Sequence, residues 1–177
     1  MVIRSRVLWI SVATIAVIVA ALLLPMQVGG HRVVTIIEIA RQPADVFDYV
    51  TTPGHWPAWH PSSLSVSGVI DHSLAVGEQV TESFSVAGRR GRAVWTVTTR
   101  DAPRLWVIDG DIEGSRGGGT VSYFVEASGE ATRFRREFVY HMPNLLAAIV
   151  DSLVLRARIE AESIEALRRV KAVLEKT

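Results

Sequence analysis

The chain reads as an α+β protein, one antiparallel sheet covered on one face by a long C-terminal helix. Three observations predict this. Residues 63–140 hold a series of strand-length runs in which apolar side chains alternate with polar ones. Pro143 stands where a helix can begin, and no glycine or proline interrupts Asn144 to Thr177. Ahead of the series, a strand-like run at Val33–Ile39 leads into a short amphipathic helix and a loop holding two tryptophans, two histidines and two prolines. The order is one strand, two short helices, six strands and one helix, βααβ6α.

The N-terminal end carries a different signal. No charged residue occurs between Arg6 and His31, and Val7 to Leu24 is almost wholly apolar. As a helix this run spans about 27 Å, close to a hydrocarbon core. It is longer than a signal-peptide core, and no Ala-x-Ala-like cleavage site follows it. The expectation is a retained single transmembrane helix at 7–24, a cytoplasmic tail at 1–6, a linker at 25–32 and one domain at 33–177. Gln27 to Gly30 is the flexible joint. Arg4 and Arg6 precede the span and Arg32 follows it, so the positive-inside rule places the domain on the extracytoplasmic side.

Composition excludes several classes. With 19 basic against 18 acidic residues, a net charge of +1 leaves no nucleic-acid footprint. The absence of cysteine excludes disulfides and thiolate metal sites. No metal-ligand set, paired carboxylates or Ser-His-Asp arrangement stands at useful spacing, so neither metal nor cofactor is expected. Asp109 to Gly114 suggests a calcium loop, yet Thr120 stands where such a loop needs glutamate, and a strand-to-strand turn is the expectation. Gly117 to Gly119 lacks the strand–turn–helix context of a phosphate loop and reads as a flexible hairpin.

Strands are expected at Ser63–Ile70, Gly77–Val86, Arg92–Arg100, Leu105–Ile108, Thr120–Glu126 and Arg133–Tyr140, with a basic-tipped turn at Ala87–Gly91. Alternation places Val80, Glu82, Phe84 and Val86 on one face of their strand. It does the same for Ala93, Trp95, Val97 and Thr99, and for Phe134, Arg136, Phe138 and Tyr140. Glu82 and Arg136 are thus charged residues on an apolar face. They must either pair as a buried ion pair or meet a polar group of a ligand. On the final helix, Leu146, Ile149, Leu153, Ala157, Ala161, Ile164, Leu167 and Leu174 recur at three or four residues as the expected inward stripe.

Pro43, Val46, Phe47, Tyr49, Trp56, Pro57, Trp59 and Pro61 resemble the opening of the START-like (SRPBCC) superfamily, the polyketide cyclase/dehydrase and lipid-transport proteins of helix-grip fold. The resemblance covers roughly residues 33 to 175. It implies a strongly curved sheet gripping the C-terminal helix around a cavity for an apolar or amphiphilic small molecule such as a lipid or polyketide. The expected lining is Trp56, Trp59, His60, Glu82, Phe84, Trp95, Tyr123, Arg136, Phe138, Tyr140, Ile149, Leu153 and Ala157. The expected function is a membrane-anchored binding or carrier domain. The alternative is a cyclase/dehydrase-type enzyme in which His60, Glu82 or Tyr140 transfers protons.

Overall fold

The computed structural model describes residues 2–86 and 88–176, with side chains described from Trp9 onward. Helix α1 is Val2–Leu22, β1 Val28–Ile39, α2 Pro43–Thr51, and α3 Trp56–Trp59 after a short 3-10 turn. Strands β2 to β7 follow at Ser63–Gly68, Gln79–Val86, Arg89–Asp101, Leu105–Ile112, Gly118–Ser128 and Ala131–Met142. The final segment is α4 (Leu145–Val150), a π turn (Asp151–Leu155) and α5 (Arg156–Leu174). The seven strands form one antiparallel sheet in the order β1-β7-β6-β5-β4-β3-β2. Consecutive strands are neighbours except for β1, which returns beside β7 and ties the two ends of the domain together.

The core lies between the sheet and the helices. Val46, Phe47 and Val50 of α2, Trp56 and Trp59 of α3, and Ala166, Leu167, Val170 and Leu174 of α5 are buried against Trp106, Tyr123, Val125 and Phe134 of the sheet. Pro43 opens α2 at the position where its missing N–H costs nothing. Asn144 caps α4, its side-chain oxygen accepting the Ala147 N–H at 2.8 Å.

Several boundaries differ from the sequence reading. Strand β1 begins at Val28, inside the expected linker, because Gly29 at φ +86° supplies a bulge that keeps the chain paired with β7. Arg89, Arg90 and Gly91 pair with Val86, Ser85 and Phe84 as strand, so of the expected turn only Gly88 stays outside the strands; Ala87 lies outside the described residues. Strand β5 runs through Asp109 to Ile112, and Gly118 and Gly119 are paired strand residues rather than a loose hairpin.

The largest correction concerns the C-terminal helix. Leu153 is 76% exposed, and Ile149, Leu146, Ala157, Ala161 and Ile164 are exposed as well. The side turned inward carries Asp151, Ile159, Glu162, Ser163, Ala166 and Val170. The π turn is one cause for Ala157, Ala161 and Ile164, which follow it, since an extra residue in a turn offsets the following side chains by about 100°. The polar chemistry of the site is the other.

Among the described residues no helix is long and apolar enough to cross a membrane. The described part of α1 is exposed from Trp9 to Ala21 and folds away from the domain core. The expected tail at 1–6 lies outside the described side chains.

Candidate functional site: an apolar cavity with a polar wall

Between the concave sheet face and α3/α5 lies a cavity of about 200 Å³. The strand register builds its walls. Opposed residues share a face, which aligns Glu82, Ala93 and Ile112 in one row, and Trp95, Gly110, Gly119 and Tyr140 in the next. Val121 and Phe138 form a third row with Ile108, and Tyr123 and Arg136 a fourth. Gly110 is obligatory in its row, because a Cβ there would run into the Trp95 indole. Trp95 in turn packs against Gly110 and donates its Nε1–H to the Glu82 carboxylate at 2.8 Å.

Of the residues expected to line the cavity, Trp56, Trp59, His60, Glu82, Phe84, Trp95, Tyr123, Arg136, Phe138 and Tyr140 are all in its wall. Ile149, Leu153 and Ala157 are not; rotation of the helix puts them outside. In their place stand Ile159, Glu162 and Ser163. Sequence reasoning missed these because none belongs to the apolar stripe it followed, and two of them are polar. The available signal was Arg136, whose burial demanded a polar partner on the facing helix.

That partner is Ser163, whose hydroxyl accepts from Arg136 Nη1 at 3.2 Å. Of the two alternatives for Glu82 and Arg136, a direct ion pair is absent among the described residues, each being bonded to a neutral group instead. The two carry out the same task separately, each anchored by a neutral neighbour. Arg136 is 5% exposed and its Nε–H has no hydrogen-bond partner. Burial pushes the Glu82 pKa up, opposed by its Ser63 and Trp95 neighbours and by the Arg136 charge. Burial also pushes the Tyr123 hydroxyl up to about 12.

His60 follows α3, its backbone N–H donating to the Trp56 carbonyl at 2.8 Å. Neither of its ring nitrogens has a hydrogen-bond partner. Burial holds its pKa well below 6.5, and the charges of Arg136 and Arg169 push the same way. The ring is therefore neutral near pH 7. Tyr140 is differently placed, its hydroxyl donating to the buried Asp151 carboxylate at 2.9 Å. Burial and that carboxylate push its pKa far up, which ties its proton to Asp151. Among the described residues no cluster of metal-ligating side chains occurs.

The depressed His60 pKa has a consequence for stability. The unfolded histidine takes up a proton near pH 6.5, while the folded one takes it up only at a lower pH. His60's contribution is complete above pH 6.5 and is lost as pH falls below it. Glu82 acts in the opposite sense, its raised pKa making ionisation unfavourable as pH rises above 4.5. Between pH 6.5 and 5, His60→Gln should flatten the fall in stability by up to about 1.4 kcal/mol per pH unit. Denaturant unfolding across this range checks it, and identical slopes in the two proteins would contradict a neutral His60.

The family model described as polyketide cyclase/dehydrase and lipid transport matches residues 30–175, and the chain belongs to that family. Solved structures of the same fold include the Mycobacterium smegmatis protein Ms6760, 19% identical with a TM-score of 0.61, covering 85% of this chain and 99% of that one. An Arthrobacter aurescens protein is 16% identical with a TM-score of 0.63, covering 85% and 92%. Ginseng major latex-like protein 151 from Panax ginseng is 15% identical with a TM-score of 0.61, covering 82% and 97%. A search of curated proteins finds no match. The family match begins at residue 30, after α1, and these solved chains are matched over nearly their whole length.

Proposed function

We propose that the protein is a membrane-tethered domain that binds or carries an apolar or amphiphilic small molecule in the cavity between sheet and helix. The observation that carries this is the cavity itself: about 200 Å³ walled by Phe84, Ala93, Trp95, Ile108, Ile112 and Val121, with a few polar groups at one side. A domain whose core were simply filled would leave no such space.

Tethering draws support from three features. Val7 to Leu24 carries no charge, and Trp9 to Ala21 of α1 are exposed. Leu145, Leu146, Ile149, Val150, Leu153 and Val154 form an exposed aliphatic patch two residues beyond Pro143. The Pro143 carbonyl accepts the Met26 N–H at 2.9 Å, which joins the base of this patch to the chain leaving α1. Met142 and Pro143 also line the cavity, so its rim and the patch adjoin. A bilayer at the end of α1 would cover the patch and meet the rim, and a ligand could pass between lipid and cavity without crossing water. By the positive-inside rule, Arg4 and Arg6 ahead of the apolar run support an extracytoplasmic domain.

The experiment has two arms. After alkaline carbonate washing the full-length protein should remain in the membrane fraction, and mass spectrometry of the purified protein should find an apolar molecule in near-stoichiometric amount. Release by carbonate would remove the tether. Absence of any such molecule, together with failure to take one up, would remove the carrier reading.

A second reading, a cyclase/dehydrase-type enzyme, is favoured by one observation: a neutral, unpartnered His60 sharing the cavity with Arg136. Such an imidazole can accept a proton from a bound ligand. In deuterium oxide this reading expects His60-dependent exchange at carbon beside a bound carbonyl. A carrier shows none.

A further inference from the structure

We infer that the cavity takes its ligand by an acceptor oxygen, carbonyl or carboxylate, set against Arg136 and His60, with the rest of the molecule apolar. This rests on the ligand-binding reading above and adds the chemistry of the ligand's polar end.

The inference starts from unused donors. Arg136 is always charged and can only donate. It is 5% exposed, one nitrogen is bonded to Ser163, and its Nε–H is buried without a partner. A buried cation cannot neutralise itself to escape this cost, so a group that accepts from it gains the full hydrogen bond. The carboxylates at the cavity are engaged elsewhere, Glu82 by the Trp95 indole and Glu162 by the Ser62 hydroxyl. No ion pair joins either to Arg136 among the described residues. His60 adds one N–H and one lone pair, both buried and unpartnered. An sp2 oxygen with two lone pairs answers both residues at once. A hydrocarbon leaves both unpaired, and an ammonium head group is repelled by the guanidinium.

The test uses the full-length protein and Nile red, an uncharged probe, displaced by decanoic acid, 2-undecanone, 1-chlorodecane or decylamine. The acid or the ketone should displace it at a concentration at least about tenfold lower than the chloroalkane or the amine, the size expected of a hydrogen bond to a charged donor. Preference for the acid over the ketone identifies a carboxylate, and equal strength identifies a carbonyl; both support the inference. Arg136→Met should bring the four compounds to within about twofold while keeping the affinity for 1-chlorodecane. His60→Phe should remove part of the preference, and it serves if Arg136→Met does not fold. Saturable binding with no preference among the four would overturn the inference and leave the carrier reading intact. Absence of saturable binding by Nile red and all four would overturn both.

Discussion

Trp59→Ala is expected to destabilise the domain by about 3–5 kcal/mol, the range for removing a large buried aromatic side chain. Trp59 is fully buried, its ring 6.2 Å from Tyr123 and 5.5 Å from His60. It links α3 to the middle of the sheet, and through Tyr123 to the stacked Trp106 at 5.3 Å. Its indole N–H has no partner, so alanine sacrifices no hydrogen bond and the loss is one of packing. The same change removes one wall of the cavity, so probe affinity should fall together with stability. Chemical denaturation measures the first effect, and a cost below about 1 kcal/mol would contradict the view that the tryptophan loop closes the core.

Most of this architecture is legible in the sequence because the strands obey simple alternation. Phe84, Trp95, Arg136 and Tyr140 lie on the face that period-two counting assigns them, and the Trp-Pro-Ala-Trp segment turns both indoles inward. The C-terminal helix was misread for a physical reason. Counting apolar residues assumes that an inward face is apolar, yet this one carries Asp151, Glu162 and Ser163, each with a partner on another element. Asp151 takes the Tyr140 hydroxyl, Glu162 the Ser62 hydroxyl and Ser163 the Arg136 guanidinium. The π turn that begins at Asp151 leaves no mark in the apolar periodicity. The residues that broke the pattern are those that give the cavity its polar side. Leu146, Ile149 and Leu153, displaced outward, make the exposed patch instead. The glycines show the same limit. Gly110 and Gly119 look like loop residues by composition, but their positions are fixed by the closeness of the Trp95 and Phe138 rings.

Plugging the cavity is expected to have the largest effect on binding. Ala93 is 3% exposed and stands between Glu82 and Ile112 on the concave face, so a tryptophan there would project into the space. Apolar filling of an existing void need not destabilise the fold, because the new side chain gains contacts in place of empty volume. The exposed patch from Leu145 to Val154 is the rival binding surface for any apolar probe, and Ala93→Trp leaves it untouched. The decisive measurement is a Nile red titration of the full-length protein beside the same protein carrying Ala93→Trp, with thermal unfolding of both. The account expects saturable binding by the first and none by the second at equal or higher thermal stability. Equal saturable binding by two folded proteins would place the probe on the outer patch and contradict the claim that this domain holds its ligand inside.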